Sequence, residues 1–147
     1  MTPDPTMVAV RTFLNLVTHD DPPSLGELSK ALDRLAVAYH DTPEGEAAGT
    51  HDKPPEADYT QIYRTLAERF PDLGLYGSAD PFSLEGDFVL GDAIDDLADI
   101  VIDLREVAWR FDVVGAQDAY WYLNLMYFHW GSHQRELARY LHAVRFS

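Results

Sequence analysis

Apolar residues recur along this chain at helical intervals, broken twice by long stretches without period. Val10, Phe13, Leu14 and Val17 follow the i, i+3, i+4, i+7 spacing that turns one face of a helix inward, over Thr6 to about Val17. Pro22 and Pro23 forbid its continuation. A capping box, Ser24-x-x-Glu27, opens a second helix with the stripe Leu25, Leu28, Leu32, Leu35 and Tyr39. A third runs from Asp58 to about Phe70, with Tyr59, Ile62, Tyr63, Leu66 and Phe70 on its inner side. A fourth spans about Asp92 to Asp112, and a fifth starts after Gly115 and continues to Val144. Residues 41–57 and 71–91, rich in Pro and Gly, read as long loops. Within the second, Phe82, Leu84, Phe88, Val89 and Leu90 are expected to tuck against the helices, and a strand near 87–90 has no evident partner. The pattern predicts an all-α fold, an antiparallel bundle of about five helices with two long loops, forming a single domain over residues 1–147.

Composition narrows the function classes. The 147 residues are 46% apolar and 12% aromatic, enough to build a core. With no cysteine, disulfides, zinc–thiolate sites and thiol nucleophiles drop out. A net charge of −14 argues against nucleic acid and against a basic membrane-surface helix. The start, Met1-Thr2-Pro3-Asp4-Pro5, has neither the basic nor the apolar region of a secretory signal, so a cytoplasmic location is expected. The charge is unevenly spread: −6 over residues 1–71, −9 over 72–112 and +1 over 113–147.

Much of the central excess lies on the fourth helix. Leu97, Val101, Leu104, Ala108 and Phe111 share one face, with Ile94 beside them; Asp92, Asp96, Asp99, Asp103 and Glu106 share the opposite one. Each acid stands one turn from the next, and like charges so spaced repel by a few tenths of a kcal/mol. Three readings are open for the stripe: a solvated face, acids paired across helices with arginines such as Arg64, Arg69, Arg135 or Arg139, or a site for Mg²⁺ or Mn²⁺. Glu106 and Arg110 are the evident i, i+4 pair.

The last helix carries His129-Trp130-Gly131-Ser132-His133, two imidazoles at a spacing that can meet one ion. Its core stripe is Ala119, Leu123, Met126, Trp130, His133, Leu137, Leu141 and Val144, which places His133 inward and His129 on a flank. An aspartate of the fourth helix is the natural partner for His133, either as a structural hydrogen bond or as a co-ligand, with Asp96, Asp99 and His133 the candidate metal ligands. Gly131 implies close approach of another helix or of the Trp130 ring, with a kink as the alternative. Trp121, Tyr127 and Trp130 stand among aromatics all round this helix, so it is either the central helix or half of a subunit interface. Gly74-Leu75-Tyr76-Gly77 lacks the lysine of a phosphate loop, and there is no Gly-x-Ser-x-Gly elbow.

Asp95-Asp96-Leu97-Ala98-Asp99-Ile100, Asp103-Leu104, His129-Trp130-Gly131-x-His133 and Leu141-His142-Ala143 together resemble a bacterial family of unknown function, domain family 5063. The likeness is strong over about residues 90–143 and rests on length and helix count before that. Val101-Ile102 stands where the family pattern has Tyr-Arg, which removes a polar contact from the acidic helix. The resemblance implies a small helical bundle, ties the acidic and histidine helices together, and brings no established activity. All-α nucleotide pyrophosphohydrolases are a second, poorer likeness: Asp96-x-x-Asp99 imitates one of their acidic pairs, but the preceding helix offers Glu68 without the required Glu-x-x-Glu.

Two functions follow as expectations. One is a non-enzymatic domain acting through a protein partner or self-association, in which Asp96, Asp99, Asp103, His129 and His133 form a polar weld between helices. The other is a divalent-metal-dependent hydrolase of nucleotides or phosphate esters, using the acidic helix 92–106 with His129 and His133: Asp96, Asp99 and Asp103 would hold the ion, and His129 or His133 would act as ligand or general base. Convergence of His133 and a helix-four carboxylate on a solvent-reachable point would favour the second.

Overall fold

The computed structural model describes residues 2–147. In chain order it has α1 (Pro5–Thr18), α2 (Leu25–Asp41), α3 (Tyr59–Arg69), β1 (Leu75–Ala79), β2 (Phe88–Asp92), α4 (Ala93–Val113), α5 (Ala116–Leu125), a π-helical turn (Tyr127–Gly131) and α6 (Ser132–Phe146). The first helices start where their caps require: Asp4, Ser24 and Asp58 accept from the backbone N–H of Met7, Glu27 and Gln61.

Three sequence expectations need correcting. The fold is helix-dominated but not purely α: residues 75–79 and 88–92 form an antiparallel hairpin, Leu75 opposite Asp92 and Ala79 opposite Phe88. The partner missing for the strand near 87–90 lay within the same presumed loop. Its apolar residues do not tuck in either; Phe82 and Leu84 are 94% and 98% exposed. Thirdly, the expected fifth helix is two, α5 and α6, interrupted by the π turn, so six helices stand in place of about five.

Packing also reassigns the central place. α4 contacts α1, α3, α5, the π turn and α6, and its buried residues go round most of its circumference, Asp96 and Asp103 included. The core joins Phe13, Leu28, Leu32, Leu66, Leu97, Ile100, Leu104, Trp130 and Leu137, all at 1% exposure or less. Arg69 fastens α3 to the end of α1, donating from Nε to the Val17 carbonyl at 2.6 Å and from a terminal nitrogen to that of Leu16 at 3.2 Å. Among the described residues no helix is long and apolar enough to cross a membrane.

The π turn determines where the histidines point. In a regular α-helix a step of four residues overshoots a full circle by about 40°. The wider π turn takes up that excess, so His129 swings from the expected flank into line with His133. Gly131 permits it: a Cβ there would lie 2.6 Å from the Tyr127 ring, which stacks on Tyr39 with centroids 3.4 Å apart. The close approach expected of Gly131 is therefore to Tyr127. Trp130 is fully buried, donating from Nε1 to the Leu123 carbonyl at 3.0 Å, while Trp121 lies beside Arg110, whose guanidinium stands 5.6 Å from its ring centroid.

Candidate metal centre

The acidic stripe of α4 faces neither open water nor the arginines suggested for it. It faces the π turn, α6 and three tyrosines. Arg69 is spent on carbonyls, Arg135 donates to Tyr127 at 3.3 Å, and among the expected ion pairs Glu106–Arg110 forms, at 2.8 Å. Arg110 also binds the buried Asp118 at 2.8 Å, and Asp118 accepts the backbone N–H of Ala48, which ties down the 41–57 loop.

Asp96, Asp99, Asp103, His129 and His133 come together as one cluster. The Nδ1 of His133 donates to Asp96 at 2.7 Å, and the Nδ1 of His129 donates to Asp103 at 2.7 Å. Each ring is thereby fixed in tautomer and orientation by a carboxylate whose side chain is almost fully buried, Asp96 at 6% and Asp103 at 5% exposure. Both Nε2 atoms then turn to the same oxygen, Oδ2 of Asp99, at 3.0 Å from His133 and 3.9 Å from His129. The rings meet edge to face with centroids 5.0 Å apart. Asp99, His129 and His133 each remain partly exposed, so the corner is open on one side.

A further rank of groups supports the carboxylates. Tyr76 donates to the second oxygen of Asp96, Tyr59 donates to Asp95, and Tyr63 donates to Asp92 at 2.7 Å. Tyr76 reaches across from β1 because its register partner is Gly91, whose missing side chain leaves room for the ring. On its other side the ring stacks on Tyr140, with centroids 4.8 Å apart. The sequence places Tyr59 and Tyr63 on the inner side of the third helix without a role toward the acids, and Tyr76 was missed. The signal was the alternation Leu75-Tyr76-Gly77-Ser78-Ala79, readable once a pairing strand is recognised.

The electrostatics follow from this packing. His133 is shifted above its ordinary value, chiefly by its hydrogen bond to Asp96, with Asp99 and Asp95 adding to the effect against the desolvation of the ring. Burial is the first cause holding Asp99 and Asp103 above the ordinary carboxylate range. Tyr59 and Tyr76 are raised by desolvation and by the carboxylates they face, so both stay protonated donors.

Two groups of ligand-capable atoms lie within 4.8 Å of one another among the described residues: Asp99, His129 and His133, and Asp95, Asp96 and His133. The first has free donor atoms. In the second, the His133 nitrogen nearest Asp96 is already bound to it. Two ligands about 2.1 Å from one ion stand about 3.0–3.4 Å apart at octahedral or tetrahedral angles, so the first group needs little movement to close on a cation.

A family profile described as a domain of unknown function, DUF5063, matches residues 8–147. A crystal structure of protein BF1032 from Bacteroides fragilis has the same fold, with a TM-score of 0.73 at 18% identity over 97% of this chain and 93% of that one. No curated protein matches the sequence. The profile spans nearly the whole chain, including the acidic helix and the histidine pair, and the chain belongs to the DUF5063 family.

Proposed function

We propose that this domain binds a divalent transition ion through Asp99 Oδ2, His129 Nε2 and His133 Nε2, with Asp96 and Asp103 orienting the imidazoles from behind. The observation that carries this reading is the shared aim of the two rings: both Nδ1 atoms are occupied by buried carboxylates, and both Nε2 atoms point at one partly exposed oxygen. Carboxylate–histidine pairs of this kind commonly stand behind metal ligands. The reading changes the roles expected from sequence. Asp96 and Asp103 serve the histidines rather than the ion, and both histidines are ligands, leaving neither as general base.

Two imidazoles and one carboxylate suit Mn²⁺, Fe²⁺ or Zn²⁺ better than Mg²⁺, which prefers oxygen donors and retains its waters. Three protein ligands on one side leave positions for water or substrate, and an ion so held supplies Lewis-acid activation of what binds there. Beside the corner lies a cleft of about 420 Å³ lined by Tyr76, Ser78, Val89, Asp95 and Glu136 among others. Among the described residues its lining contains acids and no Lys or Arg, which weighs against an anionic phosphate ester as substrate.

Thermal melts of chelator-treated protein test the reading. Zn²⁺, Mn²⁺ or Co²⁺ should raise Tm for the wild type and not for H133A, with Mg²⁺ much weaker. At roughly 100 times Kd the stabilisation is about 2.7 kcal/mol. Absence of a shift with every ion would overturn it.

Contact with another protein is a companion reading, favoured by a separate observation. The hairpin exposes Leu90, at the edge of that cleft, and Phe82, Leu84 and Phe88, which the metal reading does not use.

A further inference from the structure

The pairing of β1 with β2 sorts the hairpin's side chains between two faces. Tyr76 and Ser78 face the bundle, Tyr76 on Asp96 and Ser78 donating to Glu136 at 2.6 Å. The alternate positions point away: Leu75, Phe88 and Leu90, with the small Gly77 and Ala79 between them. Those three large residues are 62%, 73% and 63% exposed. Phe82 and Leu84 extend the same apolar character to the connection between the strands, almost wholly in solvent. An isolated two-stranded ribbon is marginal in water and seldom shows so much apolar surface without a use.

Charge restricts what can cover it. Residues 72–92 contain Asp72, Asp80, Glu85, Asp87 and Asp92 and no Lys or Arg, and Asp80, Glu85 and Asp87 are exposed around the apolar residues. A second copy would set those acids against their own equivalents, and an anionic membrane would repel them. We infer that the outer face of the hairpin docks a cationic, amphipathic segment of another protein, apolar side chains against Phe88 and Leu90 and Lys or Arg against Asp80, Glu85 and Asp87. This rests on the protein-contact reading above and adds the chemistry of the partner. The anchoring of the hairpin base on Asp96 and Glu136 presents the face in a fixed orientation, which lowers the ordering cost of docking.

A synthetic peptide alternating Leu and Lys serves as the probe, followed by amide chemical shifts of the labelled full chain. Its shifts should map to residues 75–90. F88S/L90S, with unchanged thermal midpoint, should bind about tenfold more weakly or worse, and D80N/E85Q/D87N should weaken binding and flatten its salt dependence. A Leu/Glu peptide of equal length should not bind. Equal affinity for wild type and both variants, shifts elsewhere on the surface, or equal binding of the Leu/Glu peptide would overturn the inference. Two controls separate the layers: concentration-dependent light scattering of the protein alone, and binding to phosphatidylserine vesicles. Hairpin-dependent self-association without peptide binding would preserve the contact reading and discard the cationic partner. Vesicle binding alone, or a hairpin that binds neither peptide nor a second copy, would discard both.

Discussion

The hairpin and α4 adjoin in sequence and are both acidic, yet they treat their carboxylates in opposite ways. Around the hairpin, Asp80, Glu85 and Asp87 remain in water beside exposed apolar side chains. On α4, Asp96 and Asp103 are buried and Asp99 half-buried, each against an imidazole. Water solvates a carboxylate without any partner, whereas a buried one needs donors aimed at it. The hairpin acids therefore restrict only what approaches from outside. The α4 acids impose a constellation on the π turn and α6, and that is why a site can exist there.

Removing the shared oxygen should break this comparison most completely. D99A takes away the point on which both Nε2 atoms converge, and the metal-induced stabilisation, about 2.7 kcal/mol at 100 times Kd, should vanish in a melt. D103N comes next. It retains an acceptor for His129 but loses the charge behind it, and metal affinity should fall about 10–100-fold by calorimetric titration while the ion still binds. An unchanged affinity would reduce Asp103 to a packing residue.

A pH series sharpens the contrast further. In the metal-free protein His133 faces Asp95, Asp96 and Asp99 from α4 and the ring of His129. Because its folded pKa is raised, its contribution to stability is fully present below the unfolded value of about 6.5 and is lost as pH rises through the folded value. The stability difference between wild type and H133Q in urea should thus shrink as pH rises above about 6.5. Metal affinity should climb over the same range, since the ion requires neutral imidazole. The smallest effect belongs to the hairpin: F82S/L84S should change the urea midpoint by less than about 0.5 kcal/mol equivalent, because both side chains are already in water.

These differences explain what the sequence made legible. The stripes of α1, α2 and α3 were readable because each repeats at one period between clear caps. The acids and histidines were also found, and their kinship with the family was visible in the Asp-Asp-Leu-Ala-Asp-Ile and His-Trp-Gly-x-His runs. The roles within the cluster were not readable. A 100° step assigns Asp96 and Asp103 to the side away from Leu97 and Leu104, and only the packing shows that α6 covers that side too. Likewise the α-helical step set His129 on a flank, because a π turn allowed by Gly131 and Tyr127 leaves no mark in hydrophobic period. Of the hairpin only the strand near 87–90 was legible, without its partner at 75–79, because its outer face is apolar and exposed, the reverse of the burial that strand patterns presuppose.

Titration of chelator-treated protein with Co²⁺, followed in the visible region, probes the histidine corner itself. A three-ligand site at Asp99, His129 and His133 should saturate at one ion per chain, with d–d bands of an imidazole-bound cobalt site that are lost in H129A and in H133A. Failure to saturate, or bands that persist unchanged in both variants, would contradict it.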